Sequence, residues 1–193
     1  MTALLERKSG VTAVTKSGNR IKARAAVYAS GYELPHAVRD KSLRIASTFV
    51  LATRPQKRKL WSDECMIWEA SDPYLYLRTT PDGRIVCGGE DEDFADEKRR
   101  NALLDKKISR LRAKLRRLFP GVDTTPDFTW SANFGISATG LPKVGRLPGH
   151  PHVYAALGYG GNGITYSRLA AELLAAALCG KADMDADLFA FQR

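Results

Sequence analysis

The clearest hydrophobic pattern in the chain is one apolar stripe, in which large aliphatic residues recur at spacings of three and four. It lies in the segment from Asp96 to Arg117, which has acidic residues at its start and Lys and Arg at its end, as a helix dipole favours. Pro120 and Gly121 stop the segment. The pattern predicts an amphipathic helix whose apolar face consists of Leu104, Ile108, Leu111, Leu115 and Leu118.

Alternating and β-branched runs predict strands on both sides of this helix. Residues 11–30 indicate a hairpin, turning at Ser17-Gly18-Asn19, and then a buried strand. Further strands are predicted at 43–53, 74–78 and 84–88, the last two joined by the turn Pro81-Asp82-Gly83. Residues 127–163 are rich in Gly, Pro, Ser and Thr and predict a loop-laden strand region. Because the connections are short, most pairing is expected to be antiparallel.

The last part of the chain predicts a strand, a glycine turn and a helix in direct succession. A strand-like run at 152–157 precedes GYGGNG, residues 158–163, and an apolar helical run follows at 164–179. The turn matches the GxGxxG pattern of dinucleotide-binding loops, but that fingerprint needs a complete βαβ unit with an acid after its second strand. The short segment after Gly180 has no convincing strand, which excludes an autonomous dinucleotide-binding unit.

The glycine turn still has a chemical meaning. Glycines let backbone amides approach a ligand, and a helix N-terminus presents unpaired N–H groups and a partial positive charge. The turn is therefore suited to negative charge, whether fixed or developing in a reaction. A turn that is glycine-rich for packing alone is the alternative. Four glycines within six residues favour ligand contact.

The net charge of +9 comes mostly from one element. The segment 96–117 has ten basic and three acidic residues, which gives +7 of the total. No aromatic residue that could stack on a base occurs in it before Phe119, so a solvated helix face is favoured over a nucleic-acid surface. The three cysteines have no metal-ligand spacing, and no metal site is predicted. With no signal-peptide or membrane-spanning pattern, a soluble cytoplasmic protein is expected.

Four segments in order resemble the D-amino-acid oxidase/glycine oxidase family of FAD-dependent oxidoreductases. VYAALGYGGNGITYSRLAAELL (153–174) resembles the family's C-terminal end, and VYASGYE (27–33) is similar to its strand-end ATG motif, with Ser30 where Thr is usual. Residues 67–93 look like its substrate-domain hairpin, and TGLPKVGRLPG (139–149) is similar to its DGLPxIG loop. These segments are spread over most of the range 11–180, in the family's order.

The resemblance implies an α+β fold and a flavin enzyme. Residues 32–150 would form a mainly antiparallel substrate-binding domain with flanking helices, while 1–31 and 151–193 would be pieces of an α/β FAD-binding domain. The implied activity is oxidation of a C–N bond in an amine or amino acid, with hydride passing to flavin and the electron acceptor left open. The residues implied to line FAD are Ala29, Ser30, Gly31, Gly158, Tyr159, Gly160, Gly161, Asn162, Gly163 and Ile164.

The expected substrate contacts are aromatic side chains and one cation, and no catalytic residue is predicted. Tyr74, Tyr76 and Arg78 share one face of a predicted strand, and Trp130 lies before the flavin turn. Trp61 and Trp68 are further candidates. Packing for the aromatic residues and a surface position for Arg78 are the alternatives. His36, His150 and His152 show no partner spacing and are given no catalytic role.

Departures from the family's pattern leave other interpretations open. The family's N-terminal GxGxxG unit is not found, so the chain is expected to need a missing FAD-binding half, within a longer protein or from a partner. Phe134 stands where some members have a carboxylate-binding Arg, and Thr139 where Asp is usual, which points to an amine or a differently held substrate. A non-catalytic interaction module and, more weakly, a nucleic-acid-binding domain are alternatives. Strands near 12–30 and 152–157 are expected to lack neighbours, which predicts a homo-oligomer or a covering partner.

Overall fold

The computed structural model describes residues 1–32 and 42–191 and divides into two compact units. Unit 1 consists of Met1–Arg44 and Phe134–Arg193, and unit 2 of Ile45–Asn133. Glu33 of the VYASGYE segment and His36 lie outside the described residues. The fold is α+β with mostly antiparallel sheets, as the sequence predicts.

One sheet of unit 1 is an antiparallel meander of three strands. These are β1 (Ala3–Arg7), β2 (Gly10–Val14) and β3 (Arg20–Ala23). The predicted hairpin is confirmed: Ala13 faces Ile21, and Gly18 takes the left-handed backbone conformation (φ +85°) that the turn requires. The carboxylate of Glu6 accepts the backbone N–H of His152 at 2.7 Å and contacts His150 Nδ1 at 2.8 Å, so both histidines have structural contacts.

The other sheet of unit 1 has the order β10-β11-β4. Its strands are β4 (Ala26–Tyr28), β10 (Lys143–Arg146) and β11 (Val153–Leu157). The expectation that the strands near 12–30 and 152–157 lack neighbours is wrong. Strand β2 pairs with β1 and β3, and β11 pairs with β10 antiparallel on one side and with β4 parallel on the other. Among the described strands of this sheet, β4 lies at an edge.

Successive residues of β11 point into two different layers of unit 1, as strand geometry dictates. Val153, Ala155 and Leu157 pack with Val11 and Leu147. Ala156 packs with the helices α2 (Gly163–Leu178) and α3 (Ala186–Phe189), through Leu173, Leu174 and Phe189. This double burial fixes β11, and with it the position of the glycine turn that follows.

Unit 2 is built on a five-stranded sheet in the order β6-β7-β8-β5-β9. The strands are β5 (Leu43–Thr53), β6 (Ile67–Trp68), β7 (Leu75–Thr79), β8 (Ile85–Glu92) and β9 (Pro126–Ser137). A short 3-10 helix, Lys57–Lys59, follows β5. The predicted strands at 43–53 and 74–88 are confirmed. The region after the predicted helix is more regular than its composition indicates, since β9 continues for twelve residues.

The helix α1 (Glu97–Leu118) covers one face of this sheet. Ile108, Leu111 and Leu115 are buried against Phe49, Leu51, Leu75, Leu77 and Cys87. Each such aliphatic side chain contributes about 1.5–3 kcal/mol by burial. Leu118 was predicted on the apolar face but is 40% exposed, because the helix ends there and Phe119 packs on the core instead. In the described residues, no helix is both long and apolar enough to cross a membrane.

Candidate functional site

Two of the predicted cofactor segments lie side by side in the second sheet of unit 1, at the carboxyl ends of two neighbouring strands. Strands β4 and β11 run parallel with Tyr28 opposite Ala155, so their carboxyl ends lie side by side. Ala29, Ser30 and Gly31 follow β4, and Gly158 follows β11. In open α/β sheets, the carboxyl ends of parallel strands are where ligands bind.

The glycine turn is held in place by backbone contacts. The amide of Gly160 donates to the carbonyl of Gly135 at 2.8 Å, and Tyr159 forms an isolated bridge with Ile136. Gly158 (φ +76°) and Gly160 (φ +55°) adopt the left-handed conformation that favours glycine. Contacts within the protein therefore hold the backbone of the turn in this path.

The four glycines of the turn have different surroundings. A methyl group on Gly158 would come within 2.7 Å of Leu43 Cδ2, so this glycine is needed for packing. At Gly160, Gly161 and Gly163, a methyl group would meet no described atom within 4 Å. Packing explains the first glycine only, and the other three leave open space over the backbone.

The open glycines lead into the N-terminus of α2. Asn162 is the cap residue, but its side chain makes no capping hydrogen bond, and no acidic residue lies in the first turn. Ile164 is 91% exposed. Helix N–H groups without a side-chain cap, together with the positive end of the dipole, attract negative charge. The electron-rich pyrimidine edge of a flavin fits this donor set.

The predicted substrate residues of β7 alternate as expected. Leu75 and Leu77 are buried against α1, while Tyr74 and Tyr76 belong to the opposite face, with ring centroids 6.2 Å apart. Trp68 also lies 6.2 Å from Tyr74. Arg78 is exposed at the far end of the strand, with its guanidinium 3.5 Å from the carbonyl of Thr79.

The other two tryptophans are not part of this cluster. Trp130 lies on β9, and strands β8 and β5 separate β9 from β7 in the sheet. It is 40% exposed. Trp61 stacks on Phe119 at 5.0 Å and donates to the carbonyl of Cys65, which is a packing role. The structure therefore groups Tyr74, Tyr76 and Trp68 and leaves Trp130 apart from them.

Sequence reasoning missed Asp91, which adjoins the two tyrosines. Burial and the neighbouring Asp91 carboxylate together raise the pKa of Tyr74 far above its ordinary value, and burial raises the pKa of Tyr76. Asp91 Oδ1 is fully buried and receives no hydrogen bond from any described residue. The signal was available in principle, because the run Glu90-Asp91-Glu92 closely follows the predicted strand at 84–88, but the side to which each carboxylate points cannot be deduced through a bulge.

Part of the basic helix is engaged within unit 2. Glu90, which is buried on β8, contacts Lys114 Nζ at 2.7 Å, Arg110 Nη1 at 3.3 Å and Lys107 Nζ at 3.5 Å. Lys107 also contacts Glu92 at 2.7 Å. The helix therefore has an inward-facing basic row in addition to the predicted solvated face. These intramolecular contacts do not favour the nucleic-acid alternative.

A cleft of about 580 Å³ lies in unit 1, beside the meander. Its lining includes Arg7, Arg20, Lys22 and Arg24. None of the predicted cofactor residues lines it, and the sequence patterns did not point to it. In the described part of the chain, no cluster of His, Cys, Asp and Glu could hold a metal ion, and all three cysteines are free.

Comparisons with known proteins agree with this geometry. A family model described as DAO, FAD dependent oxidoreductase, matches residues 1–177. The probable oxidoreductase OrdL of Haemophilus influenzae is 24% identical over 150 residues, 75% of this chain and 32% of that protein. The gamma-glutamylputrescine oxidoreductase of Escherichia coli is 32% identical over 110 residues, 56% of this chain and 24% of that protein.

Solved structures share the fold at low identity. The L-proline dehydrogenase of P. horikoshii superposes with a TM-score of 0.80 and 18% identity over 98% of this chain and 52% of that one. The glycine oxidase of Geobacillus kaustophilus gives a TM-score of 0.78 and 20% identity, over 98% of this chain and 50% of that one. The chain thus spans about half the length of these structures, and about a quarter to a third of each curated relative aligns with it.

Proposed function

The chain belongs to the DAO family of FAD-dependent oxidoreductases, and from that membership we propose that it is the flavin-capping and substrate-binding part of an amine or amino-acid oxidoreductase. The observation that carries the proposal is the edge where β4 and β11 end together, beside an open glycine turn and an uncapped helix N-terminus. An anionic, planar cofactor edge is the ligand that this combination suits.

Each part of the edge has a role in the proposal. Ala29, Ser30 and Gly31 approach the cofactor from the end of β4, and residues 158–164 line the pyrimidine side of the flavin. The amides at the start of α2 stabilise negative charge as it develops. FAD, when bound, supplies the acceptor for the hydride that leaves the carbon beside the substrate nitrogen, which converts the amine to an iminium.

For the substrate, the proposal favours an amine over a carboxylate-anchored amino acid. Phe134 stands where some family members place a carboxylate-binding Arg, and the Escherichia coli relative is named a gamma-glutamylputrescine oxidoreductase. Tyr74 and Tyr76 form the aromatic wall, Arg78 stays a candidate for an acidic group, and Trp130 is the outlying candidate. Positioning is the main contribution of such residues, since no acid or base on the chain is assigned to the chemistry.

Three further points belong to the proposal. Segments 1–31 and 151–193 serve the cofactor, and 32–150 serves the substrate. The adenosine half of FAD is bound by protein residues other than those of the glycine turn, in the same polypeptide or in a partner. A second copy of the chain, or that partner, covers the free edge of β4. The protein works in the cytoplasm.

The test measures binding of riboflavin, which has the isoalloxazine ring but no adenosine, by fluorescence quenching and gel filtration. Gly161→Val would fill the open space over the turn, and Gly121→Val is the matched control, because a methyl group at Gly121 would also meet no described atom within 4 Å. We expect riboflavin to bind the unaltered chain and Gly121→Val, and to bind Gly161→Val at least ten-fold more weakly. Equal binding to both variants, or none to the unaltered chain, would contradict the proposed role of the turn.

A further inference from the structure

The face of the unit 2 sheet opposite α1 combines aromatic rings with one carboxylate. Along β8, Glu90 and Glu92 reach cations of α1, whereas Asp91 lies beside Tyr74 on the other face. The two neighbours of Asp91 are thus paired with Lys or Arg. Asp91 Oδ1 is buried and accepts no hydrogen bond from the described residues. A buried carboxylate oxygen without a donor is costly, and a bound donor would satisfy it.

Aromatic rings adjoin this carboxylate. The centroids of Trp68 and Tyr74 and those of Tyr74 and Tyr76 are both 6.2 Å apart, so the three rings form one continuous row. Trp68 is 65% exposed and therefore accessible. Ring faces attract cations through their quadrupole, and tryptophan does so most strongly. A carboxylate beside such a row is the chemistry that recognises an ammonium group.

Gly88 keeps the row in this position. A methyl group on Gly88 would clash with the Tyr76 ring and its hydroxyl oxygen, so the hydroxyl end of the ring lies against the glycine. The backbone of Gly88 is not in the left-handed region, so the ring rather than the turn geometry explains this glycine. The pairing of β7 with β8 therefore fixes the position of the Tyr76 ring.

Charge along β7 changes from one end to the other. Asp91 adjoins Tyr74, while Arg78 shares that face four residues further on, about 13 Å away at the strand's rise per residue. The Asp91 end of the aromatic row is thus separated from the exposed guanidinium, which lies nearer to Tyr76. An elongated ligand could place its positive nitrogen at Asp91 without meeting Arg78.

We propose that Asp91, Tyr74, Tyr76 and Trp68 bind a protonated nitrogen of the substrate, and that the substrate is a diamine or a larger amine with a second nitrogen. The requirement for a second nitrogen rests on the proposed function. Oxidation of a C–N bond starts from a neutral amine, so the protonated nitrogen beside Asp91 is not the one that is oxidised. A substrate that satisfies both requirements has two nitrogens.

The experiment measures putrescine binding to the flavin-free chain by tryptophan fluorescence and calorimetry at neutral pH. n-Butylamine and n-butanol have the same carbon chain as putrescine. n-Butylamine carries one ammonium group and n-butanol carries no charge, so the comparison isolates the effect of charge. We expect putrescine and n-butylamine both to bind, because each presents an ammonium group to Asp91 and the aromatic row, and n-butanol not to compete. Asp91→Asn should weaken putrescine binding at least ten-fold, and Asp105→Asn, at an exposed position on α1, should leave it unchanged.

Trp68→Leu provides a second variant that is safe for folding, because the side chain is largely exposed. It should weaken putrescine binding about three- to ten-fold through the lost cation–π contact. Unchanged binding in both Asp91→Asn and Trp68→Leu, or equal binding of putrescine and n-butanol, would overturn the inference. Riboflavin binding without putrescine binding overturns this inference alone, whereas putrescine binding without riboflavin binding overturns the proposed function and leaves the cation site intact.

Discussion

The side chain of Leu43 lies against Gly158, so closely that a methyl group at position 158 would come within 2.7 Å of Leu43 Cδ2. Gly158 is also in the left-handed region, at φ +76°. The first glycine of the turn is therefore fixed by packing and by backbone conformation at once. Gly161 has neither constraint, since its surroundings are open and its φ is not positive.

Gly158→Ala should lower the free energy of unfolding by about 2 kcal/mol, because overpacking and left-handed strain add. Urea unfolding followed by circular dichroism measures the change. Gly161→Ala is the control and should stay within about 0.5 kcal/mol of the unaltered chain. Similar losses in both variants would show that the turn is uniformly tight, contrary to the geometry.

The variant Asn162→Asp tests whether the start of α2 binds a negatively charged ligand or only needs a better helix cap. An aspartate at the cap position should stabilise α2 by about 0.5–1 kcal/mol without flavin, because it places a carboxylate at the positive end of the helix dipole. The same charge should weaken riboflavin binding, since it repels the electron-rich flavin edge. Thermal unfolding and fluorescence quenching give the two quantities. Tighter riboflavin binding in Asn162→Asp would argue against a flavin at this helix terminus.

Glu90→Gln should destabilise unit 2 by about 3 kcal/mol at neutral pH, because Lys107, Arg110 and Lys114 lose their shared buried partner. Denaturant unfolding measures this loss in the free energy of unfolding. Glu172→Gln, which removes an exposed pair with Arg168, should cost less than about 0.5 kcal/mol. A loss no larger than that of the control would mean that the buried cluster adds no stability.

The same carboxylate predicts a pH dependence. Burial acts to raise the pKa of Glu90, but the hydrogen bond and charge of Lys114, with Arg110 and Lys107, lower it overall below its ordinary value of 4.5. Its stabilisation is therefore complete above that ordinary value and is lost as the pH falls through the lower folded pKa. The free energy of unfolding should fall more steeply on acidification in the unaltered chain than in Glu90→Gln. Parallel pH profiles would contradict the assignment.

Asp91→Asn should bring the titration of Tyr74 closer to the ordinary tyrosine value of 10.0, since burial and the Asp91 carboxylate together raise its pKa. Ultraviolet absorbance of tyrosinate against pH detects this as earlier ionisation. Because the folded pKa is raised, the neutral form stabilises the fold below about 10 and that stability is lost at higher pH. Tyr74→Phe should remove the effect of Asp91→Asn, and an unchanged titration curve in Asp91→Asn would place the carboxylate away from Tyr74.

Local patterns were enough to predict several elements. The spacing of Ile108, Leu111 and Leu115 gave the buried face of α1, and the alternation in β7 placed Leu75 and Leu77 opposite the tyrosines. The glycine turn before α2 was also predicted at its observed place. In these segments one physical rule, either periodicity or turn chemistry, decides the structure without help from distant residues.

The remaining features depend on contacts between distant residues. Glu90 takes a positive φ of +56° in a region of irregular strand pairing, which turns its carboxylate toward α1 and that of Asp91 toward Tyr74. Nothing in the run Glu90-Asp91-Glu92 specifies that irregularity. Likewise, β11 was expected to lack neighbours, because the family's N-terminal unit is not found, whereas the structure supplies β4 from far away in the chain as its partner.

The pairing of β4 with β11 also sets an order of events during synthesis. Unit 2 lies between the two segments of unit 1 in the chain, and its strands β6, β7 and β8 pair with their neighbours in sequence. It can therefore condense while the second half of unit 1 is still being translated, because short loops close sooner than long ones. The edge between β4 and the glycine turn is the last part of the sheet to be completed. The nascent chain thus forms the sheet of unit 2 before β4 and β11 pair, and a ligand bound where these two strands end would stabilise the finished fold.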